Sequence, residues 1–155
     1  MKRNFNHKRD ACDALALVTG YLYRSLRFEA RHLGIRWTAL MVLNDLALLG
    51  PSTQRTLADI EQIREPTMTV LLRDMRKEGW VIQERHPTNG RIKLAAITPK
   101  GLREMNRSGR FLRQRMELEL ETLSADDFKK IVLGLGPVAN LFLRKIRQAR
   151  KGDQA

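Results

Sequence analysis

Between Leu57 and Gly101 the hydrophobic period changes from helical to alternating and back, which constrains the fold of this 155-residue chain most. Leu57, Ala58, Ile60 and Ile63 form an apolar set suited to about a turn and a half of helix. Pro66 follows at the first position of the next helix, where a missing N–H is no loss. Met68, Leu71, Leu72 and Met75 then recur at helical spacing, and Gly79 is placed to end that helix in a left-handed turn. A strand-like run covers Trp80 to Arg85, Asn89-Gly90 is a strong hairpin signal, and Arg91 to Ile97 returns as a second strand. Arg85, His86, Arg91 and Lys93 crowd the tip of this hairpin. Two helices followed by a basic hairpin predict a winged helix-turn-helix, mainly α with a small β-hairpin wing. Such a unit is suited above all to duplex DNA, with a helix in a major groove and a wing on the adjacent backbone or minor groove.

Charge points the same way. Lysine and arginine total 29 against 17 acids, a net +12, which favours polyanions through counterion release. Nucleic acid leads among these, because no apolar run approaches the roughly 20 residues of a membrane span. The basic start, with Lys2, Arg3, Lys8 and Arg9, leads into no signal-like apolar segment, since Asp13, Gly20 and Arg24 interrupt it. The single Cys12 excludes an internal disulfide and suits a reducing compartment. The chain therefore reads as cytoplasmic.

Flanking the central module are long amphipathic segments. Met1 to Arg9 reads as frayed. Ala11, Leu15, Val18, Leu22 and Leu26 give a first helix from Asp10 to Arg31, terminated by Gly34. Trp37, Leu40, Met41, Leu43, Leu46 and Leu48 give a second, buried helix that Gly50-Pro51 stops, with Ser52 or Thr53 capping the next. Thr98-Pro99 opens a helix to about Leu123, and Ser124 to Asp127 resembles a capping box for the last one. Phe128, Ile131, Leu135, Val138, Phe142 and Ile146 form its stripe, which Gly134, Gly136 and Pro137 should kink or break. The module is too small to cover these stripes, so burial against a second copy as a two-fold dimer is expected. The expected organisation is 1–35 as tail and dimerisation helix, 36–100 as winged module, and 101–155 as further dimerisation helices.

The Leu57-Ala58 pair, the run from Pro66 to Met75, Gly79-Trp80, the basic wing and the Ile97-Thr98-Pro99-Lys100-Gly101 run together resemble the MarR family of bacterial transcription regulators. The similarity spans about residues 10–148. It implies a homodimer held by terminal helices, each winged helix reading half of a palindromic operator in double-stranded DNA, most often as a repressor. The family usually carries Asp-x-Arg at the wing tip, the acid bracing the arginine. Here Asn89-Gly90-Arg91 keeps the arginine and leaves at best an amide bond as brace, while Asn89-Gly90 is expected to make a tight turn that fixes the strands directly.

Candidate DNA contacts follow from the faces. With Met68, Leu71, Leu72 and Met75 inward, the recognition helix from Glu65-Pro66 presents Thr67, Thr69, Val70 and Arg73 to bases and phosphates. Arg64 and Arg76 lie within phosphate reach, as do Gln54 and Arg55 at the start of the preceding helix. In the wing, Arg91 is the minor-groove candidate, beside Asn89, with Arg85 and Lys93 as phosphate or structural residues. Arginines 103, 107, 110, 113 and 115 alternate with acids and read as a solvated helix face. The family resemblance also implies control by a small aromatic acid, for which Arg24, Arg31 and His32 would hold the charge and Trp37 and Met41 the ring. Cys12 stands near where the peroxide-sensing branch keeps its thiol, although a cysteine beside Ala11 and Leu15 is ordinarily inert packing. His7, His32 and His86 share no metal-ligand spacing, and no phosphate loop, paired nucleophile or cofactor motif is present, so neither metal, cofactor nor enzyme is expected. The competing class is a non-specific or architectural nucleic-acid binder using charge without base readout.

Overall fold

The computed structural model describes residues 7–151, which fall into two units, one ending at Trp37 and the other beginning at Thr38. The first unit is essentially one helix, α1 (His7–His32). It begins earlier than expected, so His7, Lys8 and Arg9 are helical rather than frayed; Met1 to Asn6 lie outside the described residues. Asp10 and the Arg9–Asp13 pair (4.0 Å) sit in its first two turns, where the acids meet the positive end of the helix. Its far end closes at Gly34, with the Ile35 N–H donating to Ala30 O at 3.3 Å.

The second unit is the winged module with its trailing helices. Helix α2 (Trp37–Leu49) buries Leu40, Val42, Leu43, Leu46 and Leu49, the centre of the core. After Gly50 and Pro51 comes β1 (Ser52–Thr53), a strand too short to leave any alternating pattern in the sequence. Thr53 then caps α3 (Gln54–Ile60) by accepting the Thr56 N–H at 3.1 Å, so Thr53 rather than Ser52 is the cap. Ile63 falls in the turn beyond α3. Helix α4 (Glu65–Lys77) buries Met68, Leu71, Leu72 and Met75 as its spacing predicts, with Arg64 as cap residue and Pro66 inside the first turn. At its end Gly79 adopts φ 71°, and the Trp80 N–H reaches back to Met75 O at 2.9 Å. Only glycine takes that conformation without cost.

Strands β2 (Val81–Arg85) and β3 (Lys93–Ile97) form the expected antiparallel pair, with β3 central in a three-stranded sheet of order β1-β3-β2. The small hairpin wing thus gains a third strand, Ser52 opposite Ala95 and Thr53 opposite Leu94.

Thr98 ties the sheet to helix α5 (Pro99–Glu119). Its hydroxyl oxygen accepts the Gly101 N–H at 3.0 Å and lies 2.7 Å from Gly79 O, to which it donates. Thr98→Ala removes both the cap and the donor to Gly79. It is expected to cost about 1–2 kcal/mol in urea denaturation, with Thr98→Ser recovering most of it. Helix α5 ends at Glu119 instead of near Leu123, because residues 120–123 form the turn that lets Ser124 take its capping conformation. The capping box forms: the Asp127 N–H donates to Ser124 Oγ and the Ser124 N–H to Asp127 Oδ2, both at 3.2 Å. Helix α6 (Ala125–Lys151) then continues through Pro137, so the proline does not break it.

Candidate nucleic-acid interface

The helix-turn-helix is built by short-range bonds. Helix α3 packs on α4, β1 and β3. Gln54 sends its Nε2 to the Glu65 carbonyl at 3.3 Å, joining the first residue of α3 to the first residue of α4. Its amide is therefore partly structural, a role invisible in the sequence because the partner is a backbone atom eleven residues away. Arg55 is exposed at the same end.

On α4 the outward face carries Thr67, Thr69, Val70 and Arg73, all exposed, opposite the four buried apolar residues. Val70 remains 42% exposed, an uncovered isopropyl group of the kind that meets a thymine methyl. Thr69 donates its hydroxyl to Glu65 O at 2.9 Å, so it presents its methyl and an acceptor lone pair rather than a free donor. Arg73 lies 3.6 Å from Asp74, a solvated pair that a phosphate can displace at little cost. Arg64 and Arg76, at the two ends of the helix, are exposed.

Strand register places Arg85 directly opposite Lys93 in the wing, both exposed. Like charges so opposed weaken a hairpin, and a polyanion between them relieves the repulsion. The tip differs from the tight two-residue turn expected of Asn89-Gly90. The ladder continues one step, His86 N–H to Ile92 O at 3.0 Å, and then stops at Pro87, which has no N–H to donate. A β-turn closes the loop through Ile92 N–H to Asn89 O at 2.9 Å, and Gly90 does not use a positive φ. Asn89 Oδ1 accepts the backbone N–H of Arg91 at 3.2 Å. The asparagine thus braces the backbone of Arg91, leaving its guanidinium to an outside partner. His86 Nδ1 accepts the Thr88 N–H at 3.3 Å, so the neutral ring carries its proton on Nε2.

The other cations behave differently. Burial alone would raise the Glu104 carboxyl, yet hydrogen bonds from Arg107 and Ser108 hold it below the usual range. Arg107 is thereby committed to its own helix, as the alternating charges on α5 predict. The ligand candidates divide between the units. In the first, Tyr23 meets Trp37 edge-on at 6.2 Å, Phe28 meets His32 at 4.7 Å, and the exposed Arg24 guanidinium folds beside Gly20; Arg31 is exposed. Met41, half-buried on α2, lies in the second. Cys12 is exposed on α1 rather than packed away. Among the described residues no three potential metal ligands gather, and no helix is long and apolar enough to cross a membrane.

The MarR family profile matches residues 35–93, the span of α2 through the start of β3. An HTH-type transcriptional regulator of Mycobacterium leprae is 34% identical over 113 residues, covering 72% of this chain and 78% of that protein. The chain belongs to the MarR family. Solved structures share the MarR fold at low identity. Apo MarR from E. coli superposes with a TM-score of 0.72 at 20% identity, over 81% of this chain and 94% of that one. BldR from Sulfolobus solfataricus gives 0.70 at 16%, over 90% and 99%. As a MarR-family member the chain is a DNA-binding transcriptional regulator, not an enzyme.

Proposed function

We propose that the chain acts in the cytoplasm as a homodimeric repressor that reads a palindromic operator, with 36–100 as the reading module and the helices of 1–35 and 101–155 as dimer arms. The observation that carries this is the exposed α4 face of Thr67, Thr69, Val70 and Arg73, set on a buried apolar face and flanked by a basic wing. A purely electrostatic binder needs no uncovered valine at the centre of its binding helix.

Binding to a duplex that the protein has selected from random sequence, against a scrambled duplex at one salt concentration, tests the reading. A preference of roughly 10³ or more is expected, and a ratio near one favours the non-specific alternative. Two variants separate the roles of the elements. Arg91→Ala should weaken binding to all sequences alike and reduce the salt slope by about one. Val70→Ala should instead cost about 1–3 kcal/mol on the selected site and little on scrambled DNA. Equal losses on both duplexes for both variants would remove α4 from base readout.

Release by a small aromatic anion extends the same reading. Exposed Arg24 and Arg31, with the Tyr23–Trp37 aromatic pair on the same unit, support a ligand of that chemistry. Such a ligand derepresses only by the difference in its affinity for the DNA-competent and incompetent states, about 1.4 kcal/mol for a tenfold effect.

A further inference from the structure

Two carboxyl groups meet inside the winged module, where none of the DNA contacts needs them. Asp45, the lone ionisable residue of α2, is only 8% exposed. It is hydrogen-bonded to the half-buried Glu61, the cap residue that ends α3. Among the described residues Asp45 Oδ2 is the single buried side-chain oxygen or nitrogen with no partner. A fully ionised pair would place two like charges together in a poorly solvated site, so the arrangement requires a proton between them.

The place matters as much as the chemistry. Glu61 is followed by Gln62 at φ 52°, the one non-glycine residue with positive φ among those described. Gln62 takes the left-handed position that glycine usually fills, and Ile63 N–H closes the turn on Ala58 O at 3.0 Å. Strain of this kind persists only where the surroundings hold it. Two residues beyond Ile63, Glu65 begins α4.

We propose that Asp45 and Glu61 form a proton-dependent latch that pins the turn of the helix-turn-helix to α2. Sharing one proton, the pair holds the strained turn and the start of α4 in place. When both carboxylates ionise they repel, the turn loosens, and the binding helix loses its fixed presentation to DNA. Burial first, and then the charge and hydrogen bond of Asp45, push the Glu61 carboxyl up to about 8. Asp45 is also raised by burial, against a lowering hydrogen bond from Glu61. The folded chain thus keeps a proton that the unfolded chain releases near 4.5, so this contribution falls as pH rises between those values.

Of the elements packed on α3, β1 has no ionisable group, and Lys93 of β3 is exposed. Exposed too are Arg55 and Asp59 on α3, Glu65, Arg73, Arg76 and Lys77 on α4, and Asp126, Lys129, Lys130, Arg144, Lys145 and Arg147 on α6. Half-buried Asp74 is paired with Arg73, and Asp127 with Ser124.

The inference rests on α4 as the DNA-reading helix, and the experiment separates the two. In the full chain labelled with carboxyl-13C glutamate, one resonance should titrate near 8, and it should be the one missing from Glu61→Gln. Affinity for a duplex selected by the wild type at about pH 7 should fall severalfold by about pH 9, above the histidine range. Glu61→Gln, or Asp45→Asn if the first variant does not fold, should flatten that fall. A glutamate set titrating wholly in the ordinary range, or identical pH profiles for wild type and both variants, overturns the latch. If Arg73→Ala and Val70→Ala leave affinity intact, the α4 assignment fails and takes the affinity effect with it, while the glutamate titration alone still decides whether the pair holds its proton.

Discussion

A Leu135→Asp chain is expected to be monomeric and to lose roughly a hundredfold or more in affinity for its operator, because bivalent engagement is lost. Helix α6 carries Phe128, Ile131, Leu135 and Phe142 on one stripe, each 37–54% exposed, with Val132 and Leu133 at 70% and 67% beside it. On α1, Leu17 is 75% exposed and Phe28 59%. Exposed apolar side chains in this number along one helix support an interface there. An aspartate placed in it must be desolvated without a partner, which costs several kcal/mol. Operator binding then suffers more than one lost contact, since two recognition helices must lie about 34 Å apart to meet successive half-sites. Sedimentation gives the oligomeric state, and titration of full and half operators gives the affinity. A wild-type chain that is monomeric at micromolar concentration, or a variant that keeps full affinity as a monomer, overturns the dimer.

Gly101→Ala should destabilise the chain by about 3 kcal/mol, lowering its Tm by roughly 10 °C, although alanine is the better helix former. A Cβ at Gly101 would stand 2.1 Å from Trp80 O, 2.9 Å from Trp80 C and 3.1 Å from Ile97 Cγ1. A backbone carbonyl cannot rotate aside as a side chain can. This one also accepts the Thr98 N–H at 2.9 Å, so moving it disturbs the joint between the wing and α5. Gly109 provides the contrast within the same helix. Nothing lies within 4 Å of its Cβ position, and Gly109→Ala should gain about 0.5–1 kcal/mol. Thermal unfolding of the two variants side by side gives opposite signs if the close approach is real.

Much of this molecule is local and was legible. Helix α4 followed from the spacing of Met68, Leu71, Leu72 and Met75, and its exposed face followed by subtraction. The caps at Thr98 and Ser124 and the left-handed Gly79 are decided by bonds spanning at most five residues, which sequence patterns encode. Asn89-Gly90 misled because its usual tight turn competes with an alternative. Pro87 stops the ladder, and Asn89 then captures the Arg91 N–H.

The helix-turn-helix-wing order, the buried face of α4 and the surplus of positive charge were thus all written in the residue pattern. Folding in three dimensions was needed to join a two-residue strand to the sheet at Ala95, to press Gly101 on Trp80, and to carry Gln54 to Glu65. It also brought Asp45 to Glu61. Periodicity records which side of an element meets the core, because burial acts on every residue of that side. It carries no record of which particular atom waits there, and these contacts each depend on one atom from a distant part of the chain.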